Sequence, residues 1–491
     1  MPKNQNFLCL LLSILLFTSF FSIMSGGSVL QLAAIGLQNS VLTYEPEITF
    51  WKSRYARHSM FAIEAIEMPF TATFGSTAQV TAQRAGDLIN EVFFCCDVPR
   101  ERCTRDAPGT GTVVPTDADF GGAAPYYADA LGFALLEEVQ VNIGGTQFDK
   151  HYGDFMNIWD ELSVPAGKER DESIAKGTAS SRQLLAYKGF TLYVPFMFWF
   201  TEFSEQSLPV IALQFHEIIF KVKLRAATDL VVFNAAPFGA APAQQYTLST
   251  AVASLALTNC RLLINYVYLD TQERRIFARA RHQYLITSLQ YTSEKPYAAT
   301  DTSVQVNLEW NHPVKEIIWV LQENANVGTT HVNKTYFEYG ITDDVLPSGK
   351  TDIMASCLLK LNNVDRFARQ NAIFFRDVQP RLYHSRIPKG KFIYVYAFAL
   401  QPQHWKPSGN LNFSRIDRAS LNINLKLAAD GVTLGGGVVR AYGLAQNVLV
   451  LFFLRKLLTG RKNSQPNVCG YRLETPVVLP PWGSLPLEVS C

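Results

Sequence analysis

The chain has 491 residues, of which 44 are Lys or Arg and 42 are Asp or Glu, so its formal net charge is +2. This near neutrality excludes the strongly basic surface that is typical of nucleic-acid-binding proteins. A content of 12% aromatic and only 18% charged residues excludes a disordered chain. The length predicts roughly two to four domains, and the frequent Phe and Tyr residues favour strands over helices.

The chain begins with an uncharged apolar stretch, residues 7–23, which follows Lys3. Such a stretch is typical of a signal-peptide core or of a marginally short membrane helix. Ile23 and Met24 are not small, so the sequence offers a poor cleavage site. A third interpretation is that the working protein begins at Met24 and that residues 1–23 are an upstream extension.

Four segments alternate apolar and polar residues with a period of two, which predicts half-buried strands. Their apolar members are Val139, Val141 and Ile143; Phe220, Val222 and Leu224; Val304, Val306, Leu308 and Trp310; and Leu421, Ile423, Leu425 and Leu427. Gly144 and Gly145 end the first of these strands.

Three further segments are apolar at both alternating positions: Thr191–Phe200, Ile317–Leu321 and Phe392–Leu400. This pattern predicts strands that are covered on both faces by a second sheet, a neighbouring domain or another subunit. Pro195 lies inside the first segment, which places that strand at a sheet edge or a bulge.

Two short helices are predicted. In Tyr152–Leu162 the apolar residues recur at the spacing of one helix face; they are Phe155, Ile158, Trp159 and Leu162. Asp270–Arg281 begins with a candidate N-cap, Asp270, and has Glu273 three residues later. This second helix lies between two strand-rich halves, so we predict that it connects two domains.

Gly, Ala and Pro residues predict long loops at residues 106–124 and 234–244, and a charged run predicts an exposed loop at 168–176. Each half contains about eight strands, which suits a jelly roll. We predict an all-β fold of two consecutive eight-stranded jelly rolls with a short connector helix and few other helices. The predicted division is 1–23 leader or extension, 24–44 N-terminal arm, 45–270 first roll, 271–282 connector, 283–455 second roll and 456–491 divergent tail.

A search for catalytic motifs finds no nucleophile elbow, zinc-protease helix or phosphate-binding loop in the sequence. His216 and Glu217 lack a second His four residues later, so we interpret them as structural. Gly109 and Gly111 lack a third glycine and a following helix.

Cys95, Cys96 and Cys103 suggest a metal site, but their spacing is not usual for zinc. A fourth ligand would have to come from a distant residue such as His58 or His151. We interpret these cysteines as buried free thiols at a strand end. Eight sparse cysteines in a chain of this length indicate a reducing compartment.

Asp149, His151 and Asp154 form a cluster that could provide a catalytic His–Asp pair. The alternative, which we prefer, is that Asp154 caps the following helix while His151 hydrogen-bonds a neighbouring loop. The histidines are scattered singly, which argues against a cupin-type metal enzyme: they are His58, His151, His216, His282, His312, His331, His384 and His404. We predict no catalytic residues, no cofactor and no metal.

The densest basic group is Arg274, Arg275, Arg279 and Arg281. A nucleic-acid groove would need these residues on one face together with stacking aromatics, so we predict a solvated connector helix and no direct contact with nucleic acid. Asn333 and Asn412 each begin a glycosylation sequon, which matters only if the chain enters a secretory lumen.

Six motifs follow one another in the chain: MSGGSVLQLAAIG at 24–36, ITFWK at 48–52, IGGTQFDKHYGD at 143–154, YLDTQERR at 268–275, NHPVKEIIW at 311–319 and PSGNLNFSRID at 407–417. In this order they resemble the major capsid proteins of nucleocytoplasmic large DNA viruses. The resemblance extends from residue 24 to about residue 450.

This resemblance implies a double jelly roll that forms pseudo-hexagonal homotrimers, which tile an icosahedral virion shell. It implies a structural protein and not an enzyme. Its partners would be further copies of itself, minor capsid and penton proteins and, through minor proteins, an inner viral membrane, with assembly in the host cytoplasm. Members commonly begin near the position of Met24, which favours the upstream-extension interpretation. The tail Phe452–Cys491 departs from the short ending expected of the family, loses its periodicity after Leu458 and leaves the last strand open.

Two other functions remain open from the sequence. The chain could be a minor double-jelly-roll capsid component instead of the major one. It could also be a secreted β-sandwich that binds glycans, with the apolar leader as a true signal peptide and with glycosylated sequons.

Overall fold

The structure, a computed structural model, describes residues 26–34, 36, 39, 43–46, 50–51, 57–98, 126–178, 181–182, 185, 189–213, 216–232, 256–280, 282–327, 335–342, 350–426, 435–452 and 470–473. Residues 1–60 and 61–491 form two compact units. The first unit contains helix α1 (Gly26–Ala33) and an edge-to-face pair of rings, Phe50 and Trp51, with centroids 5.6 Å apart.

Most of the second unit is built from β-strands. In chain order they are β1 (Phe61–Pro69), β2 (Thr77–Thr81), β3 (Leu88–Val98), β4 (Tyr126–Tyr127), β5 (Leu136–Ile143), β6 (Thr146–Tyr152), β7 (Phe190–Pro195), β8 (Leu208–Pro209), β9 (Ile218–Leu224), β10 (Val231–Val232), β11 (Thr258–Leu269), β12 (His282–Tyr297), β13 (Ser303–Asn307), β14 (Pro313–Glu323), β15 (Gly340–Thr342), β16 (Lys350–Asp352), β17 (Met354–Leu361), β18 (Val364–Asp365), β19 (Gln370–Asn371), β20 (Ile393–Ala397), β21 (Leu411–Asn412), β22 (Ala419–Leu425), β23 (Gly437–Phe452) and β24 (Gly470–Leu473).

The helices of this unit are short. They are α2 (Leu131–Leu135), α3 (Gly153–Ser163), α4 (Trp199–Glu202), α5 (Ala227–Leu230), α6 (Thr271–Arg279), α7 (Asn324–Val327) and α8 (Gln379–Tyr383). A π-helical turn, Phe374–Val378, leads directly into α8, and 3-10 turns lie at Ser204–Gln206, Val210–Ala212 and Phe413–Arg415.

The strands form the same pair of antiparallel sheets twice. In the first half the orders are β1-β11-β3-β7 and β2-β9-β5-β6; in the second half they are β12-β23-β14-β20 and β13-β22-β17-β18, with short strands paired at the margins. In each half, the first strand lies beside the last one, β1 beside β11 and β12 beside β23. Two four-stranded sheets connected in this way form a jelly roll. We call β1–β11 the first roll and β12–β23 the second roll, and the predicted all-β double-roll fold is confirmed.

The periodicity predicted the central strands well. β5 contains Val139, Val141 and Ile143 with their side chains buried, and Gly144 and Gly145 turn the chain with φ of 56° and 85°. Both glycines adopt a left-handed conformation that side-chain-bearing residues disfavour.

Two of the apolar strands differ in how far they are covered. β14 contains Ile317–Leu321, lies between β23 and β20 in its sheet and is buried on both faces, as predicted. β7 is the edge strand of its sheet, as Pro195 required, but its Tyr193 is 41% exposed, so the predicted cover on both of its faces was wrong.

Several predicted strand boundaries were wrong. The strand in Thr191–Phe200 ends at Pro195, and a short helix, α4, follows it. The strand predicted at Val304–Trp310 ends at Asn307, although Leu308 and Trp310 are buried beyond it. Apolar side chains outside a strand fill the core as readily as those within it, so burial does not define strand ends.

Two further segments differ from the sequence prediction, and the structure defines a strand that the sequence left open. β20 covers only Ile393–Ala397 of the predicted Phe392–Leu400 segment. The predicted exposed loop at 168–176 contains Ile174 and Ala175, which are buried; the Ile174 carbonyl accepts a hydrogen bond from the Gly132 amide at 2.9 Å. The final strand of the second roll, left open by the sequence, is β23; it reaches Phe452, and β24 in the tail pairs with it.

Both predicted helices are present. α3 buries the predicted residues Phe155, Ile158, Trp159 and Leu162. α6 joins the two rolls with no buried residue, but Asp270 makes no capping hydrogen bond through its side chain, so the predicted capping box was wrong. Among the described residues no helix is long and apolar enough to cross a membrane. The apolar stretch 7–23 and the predicted loops 106–124 and 234–244 lie outside the described residues.

Candidate functional site at the junction of the two rolls

The junction between the rolls is organised by α3, which follows β6 in the first roll. The helix must start at a glycine, because a Cβ on Gly153 would lie 2.3 Å from the carbonyl oxygens of Phe133 and Leu136. From there one face of α3 enters the core of the first roll. Phe155 packs against Tyr442 of β23, with ring centroids 5.5 Å apart. The first roll therefore covers the outer face of a sheet in the second.

A charged network reinforces this contact. Asp154, in the first turn of α3, lies 3.0 Å from Arg440 of β23, and Arg440 also contacts Glu294 of β12 at 2.8 Å. Burial disfavours the charged guanidinium, but Asp154 and Glu294 outweigh it and raise the pKa of Arg440. Arg440 further donates a hydrogen bond to Gln322 at 2.5 Å. The ion pair is therefore held in one geometry by several partners.

The predicted Asp149–His151–Asp154 cluster is partly formed, but our preferred interpretation of it was wrong. His151 Nε2 lies 3.0 Å from Asp149 Oδ2, and both side chains are buried. Asp149 Oδ1 accepts a hydrogen bond from the backbone amide of Leu289 in β12 at 3.1 Å. Asp154 caps nothing and pairs with Arg440. The carboxylate of Asp149 thus joins the two rolls through a backbone amide of the second.

A second buried group lies on the other side of α3. His384 Nε2 and Glu316 Oε2 are 2.9 Å apart, with both side chains fully buried. The contact is close without being an aligned hydrogen bond, since neither atom has a hydrogen-bond partner. Burial lowers the pKa of the neighbouring Lys315, while Glu316 and Glu202 oppose that shift. Opposite charges here compensate one another in a dry environment.

Glu202 of α4 connects this group to the first roll. Its carboxylate accepts a hydrogen bond from the indole N–H of Trp159 in α3. Desolvation by the surrounding protein raises the pKa of Glu202, although its side chain also opens into a groove. The positive charge of Lys315 on β14 is the largest influence that opposes this shift in the pKa of Glu202.

The groove has a volume of about 910 Å³ and is lined by residues of both rolls. Phe93 and Pro195 contribute from the outer side of the first roll, and Leu382 and Leu400 from the second. Leu382 and Leu400 are exposed there. The groove marks the place where the covered junction gives way to an open apolar surface.

Direct hydrogen bonds complete the junction. The Gln403 side chain donates to the Leu162 carbonyl at 2.9 Å, and Gln206 donates to the Leu285 carbonyl at 2.5 Å. Tyr336 donates to the backbone carbonyl of Asp229 at 2.7 Å. Contacts spread over both sides of α3 hold the rolls in one relative orientation.

The predicted thiols are where the sequence placed them. Cys95 and Cys96 lie in β3, both buried and free, and burial raises the pKa of Cys95 to about 11. Cys103 lies outside the described residues. His58 is exposed and contacts the carbonyl of Ser59, and His151 is committed to Asp149. Within the described ranges, no group of three or more His, Cys, Asp or Glu residues could hold a metal ion.

The remaining candidates are dispersed. His216 and Glu217 precede β9 instead of lying in it. Asn412 is half-buried; its side-chain oxygen accepts a hydrogen bond from the Ser414 amide at 3.0 Å. Asn333, Gly109, Gly111, His331 and Arg281 lie outside the described residues.

The basic group on α6 is only partly paired. Arg274 contacts Asp87 at 2.8 Å, which is the acidic partner that a connector helix was expected to have. Arg275 and Arg279 lie on the same helix, which buries none of its residues. Phe277 on the same helix stacks on His282, with ring centroids 5.1 Å apart. The arrangement is that of a connector.

The sequence search missed the residues that matter most at the junction: Arg440, Glu316 and Lys315. A signal was available, because all three are charged residues within or beside strongly apolar strands. A charge in such a position is rarely buried without a partner. Their partners come from distant parts of the chain, and periodicity contains no information about these pairings.

Two jelly rolls in tandem, fixed by a junction of this kind, define a structural building block of the viral capsid class. Comparisons with known proteins bear this out. A family described as "Major capsid protein N-terminus" matches residues 49–270, and one described as "Large eukaryotic DNA virus major capsid protein" matches residues 273–451.

Individual relatives agree. The chain is 30% identical to the major capsid protein of Phaeocystis pouchetii virus, covering 86% of this chain and 97% of that protein. It is 32% identical to the major capsid protein of Pyramimonas orientalis virus, covering 81% and 92%. Its structure matches a chain of the PBCV-1 virus capsid with a TM-score of 0.64 at 26% identity, covering 82% and 98%.

The chain therefore belongs to the major capsid protein family of large eukaryotic DNA viruses. It is a structural component of the virion capsid, and its role is architectural, not catalytic. Capsid formation requires self-association of such a component.

Proposed function

We propose that three copies of the chain form a pseudo-hexagonal capsomer and that many capsomers tile an icosahedral shell. The observation that carries the proposal is the repeat of the same pair of sheets in one chain. Three copies would supply six similar rolls, so a threefold ring would have a nearly sixfold outline. The polar junction supports this, because a block with a fixed angle between its halves can form a closed ring.

The same proposal extends to partners and location. Further copies would be the main partners, with minor capsid and penton proteins at specialised positions. An inner viral membrane would be reached through minor proteins. Nucleic acid would not be contacted directly. Assembly in the host cytoplasm is supported by the free buried thiols, which suit a reducing compartment; they are Cys95, Cys96, Cys260 and Cys357.

We also propose the predicted division of the chain, with 24–44 as an arm, 45–270 and 283–455 as the two rolls, and 271–282 as the connector. Residues 1–23 would lie outside the working double roll, and so would the tail 456–491 apart from β24, which pairs with β23. Asn333 and Asn412 would be glycosylated only if the chain entered a secretory lumen instead of remaining in the cytoplasm. Intact-mass and N-terminal measurements on protein from virions would test both ends and both positions at once.

The trimer is tested by analytical ultracentrifugation of the protein expressed from Met24. We expect a trimer at micromolar concentration, and a lattice as the concentration rises. A stable monomer under these conditions, with a native circular dichroism spectrum, would contradict the proposal.

A further inference from the structure

Two free cysteines of the first roll lie on neighbouring strands and face the same core. β3 contains Cys96 and β11 contains Cys260, and both side chains pack in the hydrophobic core. Cys95 precedes Cys96 on β3 and is also buried, but the alternation along a strand directs its side chain to the opposite face of the sheet. Cys96 and Cys260 are therefore the two thiols that this sheet brings together on one face.

The strand register places these two cysteines opposite each other. On β11, the pairing with β3 shifts by one residue between Thr258 and Arg261, so residues 259 and 260 share the position opposite Cys96. Asn259 is the extra residue of this β-bulge, because it is exposed and its φ is 50°. Cys260, which is buried, is thus the partner of Cys96 in the core.

The backbone of this pair favours a close approach of the side chains. The Cys260 carbonyl accepts a hydrogen bond from the Phe70 amide at 3.0 Å, on the side of β11 that faces away from β3. Opposed residues that share no hydrogen bond in an antiparallel sheet have Cα atoms about 4.5 Å apart, a separation that a disulfide can span. Desolvation raises the pKa of Cys96, and the nearby Cys260 thiol raises it further.

We propose that Cys96 and Cys260 form a disulfide bond after the assembled protein leaves the reducing cell, and that this bond locks the first roll in the virion. It would close a loop of residues 97–259, which contains α3 and therefore the part of the first roll that contacts the second. Restricting the unfolded chain with so long a loop stabilises the folded state. Only the timing of the bond rests on the proposed cytoplasmic assembly, because the bond itself needs only the two strands.

Burial explains why the two thiols stay reduced inside the cell. Desolvation raises the pKa of both Cys96 and Cys260, so the reactive thiolate is scarce at neutral pH. Both residues lie near strand ends, since β3 ends at Val98 and β11 begins at Thr258. Strand ends open more readily than strand centres, which gives a small oxidant access. We therefore expect slow oxidation that accelerates as the pH rises.

A peroxide is the oxidant whose chemistry fits such a site. Hydrogen peroxide transfers one oxygen to the Cys260 thiol, which gives a sulfenic acid and one water. The Cys96 sulfur then attacks the Cys260 sulfur, the S–O bond breaks, and the departing hydroxide takes up the Cys96 proton as a second water. The two thiols thus lose two electrons and two protons, and both electrons reduce the peroxide.

The test exposes the reduced, folded protein expressed from Met24 to hydrogen peroxide, blocks the remaining thiols by alkylation and digests the chain with trypsin. Mass spectrometry should find one cross-link, which joins the peptides 85–100 and 226–261 with the loss of two hydrogens. Cys96→Ala and Cys260→Ala should each abolish this link. Cys95→Ala is the matched control, because it removes the adjacent buried thiol on the other face of the sheet, and the link should remain.

Thermal unfolding tests the stabilising role of the bond. The oxidised wild type should unfold about 3 °C or more above the reduced protein, and a reductant should reverse this shift. Alkylated Cys96 and Cys260 after oxidation, a link that persists in Cys96→Ala, or a link that forms only in unfolded protein would overturn the inference. An unchanged unfolding temperature in the linked protein would overturn the locking role. The cross-link in the wild type decides the pairing even where circular dichroism finds a variant unfolded.

Discussion

The two equivalent sheets, β1-β11-β3-β7 and β12-β23-β14-β20, have the same strand order but opposite surroundings. The second is covered by α3 and joined to it by the Asp154–Arg440 pair, whereas the first has Phe61 and Ile63 open to solvent. The same topology thus serves once as an internal joint and once as an exterior surface. The difference teaches that the outward side chains, and not the strand order, determine what a jelly-roll sheet contacts.

The largest effect is expected from removing an aromatic ring on the covered side. Phe155→Ala should lower the free energy of unfolding of the monomeric chain by about 3–5 kcal/mol, because the buried ring contacts Tyr442 across the junction and leaves a cavity. Phe61→Ala on β1, where the ring is exposed, is the control and should cost less than about 0.5 kcal/mol. Urea unfolding, at protein concentrations too low for the chain to associate, measures the free-energy cost of both substitutions. Equal costs would contradict the expected difference between the covered and the exposed ring.

An intermediate effect is expected at two arginines, one in the junction and one on β11 of the first roll. Arg440→Met removes the partner of Asp154 from a mostly buried network and should cost about 1.5–3 kcal/mol. Arg261→Met removes the partner of Glu67 on β1, where the carboxylate is exposed, and should cost at most about 1 kcal/mol. When the same unfolding measurement is repeated in high salt, only the smaller of the two free-energy costs should fall appreciably.

The smallest effect on the free energy of unfolding is expected at two aspartates, whose contributions are distinguished by how they change with pH. Burial raises the pKa of Asp160 on α3, so the wild type loses stability as pH rises from about 4 toward the folded pKa. Hydrogen bonds from Thr191 and Asn259 lower the pKa of Asp97, so its contribution is present above pH 4 and is lost as pH falls. The two groups act in opposite directions.

Asp160→Asn should therefore be at least as stable as the wild type at pH 7, with any advantage shrinking toward pH 3. Asp97→Asn should be less stable at pH 7, with its deficit vanishing at low pH. Unfolding free energies between pH 3 and 7 decide this. If both variants show the same slope against pH, the burial of Asp160 and the hydrogen bonds to Asp97 do not have the opposite effects expected of them.

The sequence predicted the strands in which the pattern of apolar side chains reflects the two faces of their own sheet. β5, β9, β14 and β22 follow directly from side-chain periodicity, and α3 follows from apolar residues at helical spacing. Strand ends were less predictable. Near Pro195 the apolar run continues while the strand stops, because a proline cannot extend the ladder and the next side chains still fill the core.

The functional surfaces were predictable only in part. The apolar pattern at Ile317–Leu321 indicated a strand covered on both faces, but the sequence left open what covers it. The identity of the cover, α3, depends on a contact between residues more than a hundred positions apart, such as Asp154 and Arg440. The roles of Glu316 and His384 depend in the same way on pairing between separate elements.

By itself, the sequence determined the all-β class, the tandem rolls, the main helices and, through its resemblance, the capsid family. These features depend on local periodicity and on the order of motifs, both of which are written along the chain. Only the tertiary structure decided that one sheet is covered and its equivalent is open. Whether an outward side chain of a strand contacts solvent or another element depends on distant residues that folding brings together. A local sequence pattern contains no information about those contacts.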